Sequence, residues 1–168
     1  RQAPIHGAAI SPPRSLALFN GSPRGRRGNT PLMLEQLAQG FGGPVETYHL
    51  VRLKDSQQMV QALAQAECAI IGFPLYTDAM PGIVKQFIEA LEPLRGRPGN
   101  PPLGFLVQSG FPEGLHSRYV ERYLEKLAAR LDSPYLGTIV KGGGEGTRLM
   151  PEQMIRPLFA NLQSLGAG

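Results

Sequence analysis

The chain has no tryptophan and a single cysteine among its 168 residues. A lone Cys68 rules out an internal disulfide, a cysteine-built zinc site and a cysteine-bound cluster, so no metal is expected. No apolar run approaches the ~20 residues that a membrane span requires. Residues 1–14 lack an apolar stretch of signal-peptide length, and Pro4, Pro12 and Pro13 make them read as an irregular arm. Acidic residues are also scarce: 13 Asp and Glu against 17 Lys and Arg, a net charge of +4. That excess is not spread over one face with aromatics between, as nucleic-acid binding would require. Its only dense cluster is Arg24, Arg26 and Arg27. The expectation is therefore a protein with no nucleic acid and no membrane as partner, in a reducing, cytoplasmic setting.

What is present is a regular alternation. Strand-like apolar runs cover Ser15–Asn20, Val45–Leu50, Glu67–Phe73, Leu103–Ser109 and Leu136–Lys141. Helix-like stretches cover Pro31–Gly40, Ser56–Ala66, Gly82–Leu91, Leu115–Leu131 and Pro151–Leu165. In the fourth helix Tyr119, Tyr123, Leu127 and Leu131 recur every four residues, with Val120, Leu124 and Ala128 beside them. Pro157 is expected to kink the last helix or delay its start. Five strand–helix repeats predict an α/β fold, a parallel sheet with helices on both faces. One domain, residues 15–168, should follow the arm.

Open parallel sheets bind ligands beyond the carboxyl ends of their strands. The segments there are "NGSPRGRRGNT", "PLYTDAMPG", "SGFPEG" and "GGGEG", each rich in Gly, Pro or aromatic residues. In the first, Thr30 and Pro31 make a good helix start, with Thr as the capping acceptor. A cap does not account for Ser22, three arginines and Asn29 in the same loop. A phosphate cradle does: a helix N-terminus offers free N–H groups and positive potential, and arginines add charge-assisted hydrogen bonds. Asn29 follows Gly28 where an NTPase loop needs Lys, and G-x-G-x-x-G is absent. Pro74 stands six residues after Cys68, where a cysteine phosphatase needs Arg. Asn20 and Phe73 end strands whose ends are acidic in a phosphoacceptor domain. A mononucleotide held by hydroxyl and amide donors remains.

"GSPRGRRGNT" followed by "AIIGFPLYTDAMPGIVKQFIEAL" resembles the NADPH-dependent FMN reductase group of the flavodoxin-like superfamily, including its iron–sulfur flavoprotein relatives. "SGFPEGLHSRY" and "KGGGEG" are similar to that group too. The resemblance spans residues 15–165. It implies a flavodoxin-like three-layer sandwich with a five-stranded parallel sheet in the order 2-1-3-4-5, and bound FMN. It implies that Ser22, Arg24, Asn29 and Thr30 hold the phosphate. Pro74, Leu75, Tyr76 and Thr77 would line the isoalloxazine ring, and Ser109, Gly110 and Phe111 would close its other edge. With one cysteine, the iron–sulfur cluster of some relatives is excluded. The implied activity is an NAD(P)H-dependent oxidoreductase passing hydride through FMN to a quinone, free flavin or other small acceptor, as a homodimer or tetramer.

A flavodoxin-like one-electron carrier and a non-catalytic flavin-binding module are the alternatives. Carriers are usually acidic, and the net charge of +4 leans toward hydride chemistry. The flavin carries the reaction, so no acid–base pair is required of the protein. Glu113 and His116 are read more simply as groups capping the fourth helix than as groups facing the ring. His49, at the end of the second strand, is read as structural and distant from the crevice.

Overall fold

The five apolar runs become five parallel strands: β1 (Leu16–Asn20), β2 (Val45–His49), β3 (Ala69–Leu75), β4 (Leu103–Ser109) and β5 (Tyr135–Lys141). They are hydrogen-bonded in the order β2-β1-β3-β4-β5. Between and after them lie α1 (Asn29–Phe41), α2 (Ser56–Ala64), α3 (Gly82–Ala90), α4 (Leu115–Arg130) and α5 (Glu152–Ala167). The structure, a computed structural model, describes residues 14–52, 56–75, 80–109, 115–142 and 152–167. This is the flavodoxin-like arrangement.

Every residue of β1 and β3 is buried, because helices cover both faces of the sheet. Side chains alternate between those faces along each strand. Leu16, Leu18, Ile70 and Leu106 pack with Leu34 and Leu37 of α1 and Leu158 and Leu162 of α5. Phe19, Ile71, Phe73, Phe105 and Val107 point the other way, onto Leu63 of α2, Phe87 of α3 and Leu124 and Leu127 of α4. Phe19 lies between Tyr48 and Phe87, with ring centroids 5.2 and 5.1 Å away. Burying each such side chain is worth about 1.5–3 kcal/mol. Together they fix β1 inside the sheet, between β2 and β3.

Three expectations need correction. The third strand begins at Ala69 and continues to Leu75, so Pro74 lies within it and not after it. β1 pairs with β3 only as far as Gly72, and Pro74 pairs with Gln108 of β4 alone. A proline is tolerated where one flank of the strand is open. In α4, Tyr119 and Tyr123 are 72% and 46% exposed. Steps of four residues advance about 400°, drifting roughly 40° each time. The two tyrosines therefore rotate away from the face that buries Leu124, Leu127, Ala128 and Leu131. Helix α5 starts at Glu152, and Pro157 does not delay it. Ile155, Leu158 and Leu162 are all buried on it, and that apolar stripe outweighs one lost helical hydrogen bond.

The segment after α3 is anchored through Asn100. Asn100 is buried and donates to the carbonyls of Leu94, at 2.8 Å, and Leu131, at 2.6 Å. It ties the 3-10 turn Glu92–Leu94 to the end of α4.

Candidate functional site

After β1 the chain goes to β2 on one side. After α2 it crosses back to β3 on the other. Strand order thus reverses between β1 and β3, and the segments leaving these strands frame a crevice. The backbone closes there: Gly21 N–H donates to the Gly72 carbonyl at 2.7 Å.

Asn20, the last residue of β1, organises the loop that leaves the strand. Its Oδ1 accepts the Ser22 N–H at 3.1 Å. Its Nδ2 donates to the Gly25 carbonyl at 3.1 Å and to His49 Nδ1 at 2.9 Å. Asn20 is completely buried, so these bonds replace water entirely. The chain then turns through a 3-10 segment, Gly25–Arg27. Gly25 has φ 61°, a left-handed conformation that a side chain would strain.

Ser22 is buried and its Oγ accepts the Arg24 N–H at 3.2 Å, which leaves its hydroxyl hydrogen free to donate. A Cβ at Gly28 would lie 2.5 Å from that Oγ. Glycine is needed there so that the loop can fold over Ser22.

Gly28, in extended conformation, is the N-cap of α1, and no side chain caps the helix. This corrects the reading of Thr30 as the capping residue. The helix begins two residues earlier than expected, which carries Thr30 into its first turn. Thr30 is 1% exposed, and its Oγ1 is buried with no hydrogen-bond partner. An unpaired buried hydroxyl costs about 1–3 kcal/mol. A fold keeps one where something else completes it. Beside it are the helix's opening N–H groups, which have no intrahelical acceptors.

The field is positive throughout. Residues 20–30 contain three arginines and no acid. The charges of Arg26 and Arg52, together with the larger effect of burial, hold the His49 imidazole below its usual pKa. Arg24, Arg26 and Arg27 are exposed, as is Asn29. The donor set is therefore hydroxyl, backbone amide and guanidinium, which fits a phosphate group. Two of these donors, Ser22 and Thr30, are buried, and the three arginines are exposed.

Of the remaining expected site residues, Pro74, Leu75 and Ser109 sit on neighbouring strand ends. Pro74 and Leu75 close β3, and Leu75 packs into the core on the α2–α4 face. What Leu75 offers the crevice is therefore backbone. Ser109 ends β4, paired with Leu75. Tyr76, Thr77, Gly110 and Phe111 lie outside the described residues, as do Glu113 and the side chain of His116. The sheet thus brings the loop after β1 and the ends of β3 and β4 to one edge. Sequence reasoning missed Asn20 and the part played by His49. An Asn between a strand and Gly-Ser is an available signal, since Asn favours turns that bond its own following backbone. Among the described residues no group of His, Cys, Asp and Glu could hold a metal ion, and no helix is long and apolar enough to cross a membrane.

Residues 14–164 match the family described as NADPH-dependent FMN reductase. Solved structures share the fold. Rubredoxin oxygen:oxidoreductase from Desulfovibrio gigas superposes with a TM-score of 0.70 at 16% identity. The match covers 94% of this chain but only 37% of that longer protein. An NADH:FMN oxidoreductase, EmoB, gives 0.69 at 17% identity, covering 92% and 91% of the two chains. An NADPH-quinone reductase from P. pentosaceus gives 0.62 at 22% identity, covering 90% and 97%. At such identities these neighbours speak for the fold alone. No curated protein matches in sequence.

Proposed function

The chain belongs to the NADPH-dependent FMN reductase family, a family of flavin-dependent oxidoreductases, and on that premise we propose that it passes hydride from NADPH or NADH through FMN to a small flat acceptor. FMN, when bound, supplies the hydride chemistry. The protein's part is to hold and orient the cofactor. Ser22, Arg24, Asn29 and Thr30 would hold its phosphate, together with the free amides of the first turn of α1. Pro74, Leu75, Tyr76 and Thr77 line one side of the ring. Ser109, Gly110 and Phe111 close the other edge. Residues 15–168 act as the FMN-binding domain.

The observation that carries this reading is the buried, unpartnered Thr30 Oγ1 at the head of α1, in a loop with three arginines and no acid. A quinone is the first acceptor to try, given the likeness to an NADPH-quinone reductase. We place the protein in a reducing, cytoplasmic compartment, with Cys68 free. We expect a homodimer or dimer of dimers, in which closed symmetry brings a neighbour over the ring edge. Light scattering that returns a single 18.2 kDa chain contradicts the assembly.

The test of the activity is anaerobic stopped flow on the FMN-loaded protein. NADPH or NADH should bleach the flavin, and a quinone should restore it, with alternating kinetics because both substrates use one slot. Tyr76→Ala should slow the bleaching more than it weakens FMN binding. Failure of both nicotinamides at millimolar concentration removes the reductase reading.

A further inference from the structure

The loop after β1 is held by Asn20, the last residue of that strand. Asn20 makes three hydrogen bonds, and their chemistry fixes every donor and acceptor. The Ser22 N–H can only donate, so Asn20 Oδ1 faces it. The Gly25 carbonyl can only accept, so Asn20 Nδ2 faces that. The second hydrogen of Nδ2 points at His49 Nδ1, 2.9 Å away. His49 Nδ1 must therefore accept, and its ring proton resides on Nε2. The contact joins the facing residues of β1 and β2, paired in the sheet register. It is reinforced by Leu50 N–H donating to the Asn20 carbonyl at 3.0 Å.

We propose that His49 is a positioning residue for the phosphate site: its neutral imidazole holds Asn20, Asn20 holds the loop, and protonation of His49 releases that hold. An imidazolium carries hydrogens on both nitrogens. Nδ1 would then present a donor to the Asn20 donor, and the buried amide would lose its acceptor. The surroundings favour the neutral ring. Among the described residues, the charged groups that bear on His49 are Arg26, from the 3-10 turn, and Arg52, from the segment after β2; β1 presents the uncharged Asn20. Burial and those two cations lower its pKa from the ordinary 6.5. The contribution is therefore complete above about pH 6.5 and is lost as pH falls through the lowered folded-state value.

The proposal rests on FMN phosphate binding at this loop, so the test has two separate readouts. The first uses protein without FMN: the backbone amide signal of Ser22 is followed by NMR from about pH 7.5 down to the acid end of the His49 ring titration, read from the ring's own signals. It should titrate with the His49 ring in wild type. It should not in His49→Asn, whose Oδ1 stands as many bonds from the backbone as Nδ1 and keeps the acceptor. The second is FMN affinity over the same range. The FMN phosphate titrates in that window too, with a pKa near 6, so the readout is the wild-type to His49→Asn ratio. Wild type should weaken about tenfold relative to His49→Asn on acidification. At about pH 7.5 His49→Leu should bind FMN about tenfold more weakly than wild type, and His49→Asn should restore binding. A constant ratio overturns the proposal. So does a ratio that moves the other way, which would make His49 a cation for the phosphate. A Ser22 amide indifferent to His49 overturns it as well. If FMN fails to bind any of the three proteins, the functional reading falls, and the amide titration still decides whether His49 holds the loop.

Discussion

Thr30→Val separates phosphate binding from any merely structural role of the first loop, because it should move two quantities in opposite directions. Valine keeps the β-branched shape and removes only the hydroxyl. That hydroxyl is buried and has no partner within the protein. Removing an unpaired buried hydroxyl relieves about 1–3 kcal/mol of desolvation. The FMN-free variant should therefore be more stable than wild type by about 1 kcal/mol or more. In a protein of this size each kcal/mol raises Tm by about 2–4 °C. FMN binding should fall, since a hydrogen bond to a charged phosphate is worth about 1.5–3 kcal/mol, roughly tenfold to 150-fold in Kd. Riboflavin, which has no phosphate, should bind both proteins equally. The assay is a pair of thermal melts without FMN and a pair of fluorescence titrations with each flavin. A variant that melts lower than wild type would mean that Oγ1 has a partner in the native fold. Unchanged FMN affinity would mean that the hydroxyl does not meet phosphate. Either result refutes the reasoning.

Other expectations concern the scaffold. Asn100→Ala removes the donor that joins Leu94 and Leu131, and should cost about 2–3 kcal/mol in urea unfolding with an unchanged m value; a loss below about 0.5 kcal/mol contradicts the role. Burial pushes the Cys68 thiol up to about 12, so at about pH 8 the native protein should react with iodoacetamide ~100-fold or more slowly than the unfolded chain. Equal rates in the two states would place Cys68 at an accessible position.

The alternation of strands and helices was legible because burial on both faces leaves an unmistakable apolar run. "CAIIGF" reads as a central strand from composition alone. Element ends were less legible. Pro74 looks like a strand terminator, yet the strand runs past it because its neighbour β1 has already ended at that level. Tyr119 and Tyr123 fit a four-residue spacing, which drifts around a helix of 3.6 residues per turn. Only the packed structure decides which side of that drift meets the sheet. The donors and charges that make the first loop a candidate anion site are readable in Ser22, Arg24, Asn29 and Thr30, because charge and donor type are local properties. The cap was misplaced, since Gly28 competes for it through backbone conformation and not through a side chain. The Asn20–His49 bond was invisible for a different reason. It spans 29 residues and exists only because parallel pairing sets Asn20 opposite His49.

The central claim is that the loop between β1 and α1 reads the phosphate of FMN. It is tested most directly by titrating the flavin-free protein with FMN and with riboflavin side by side, following quenching of flavin fluorescence. FMN should bind at one per chain, and riboflavin should bind more weakly by about a hundredfold or more, the worth of at least two charge-assisted hydrogen bonds. Equal affinity for the two flavins, or no binding of FMN, would contradict it.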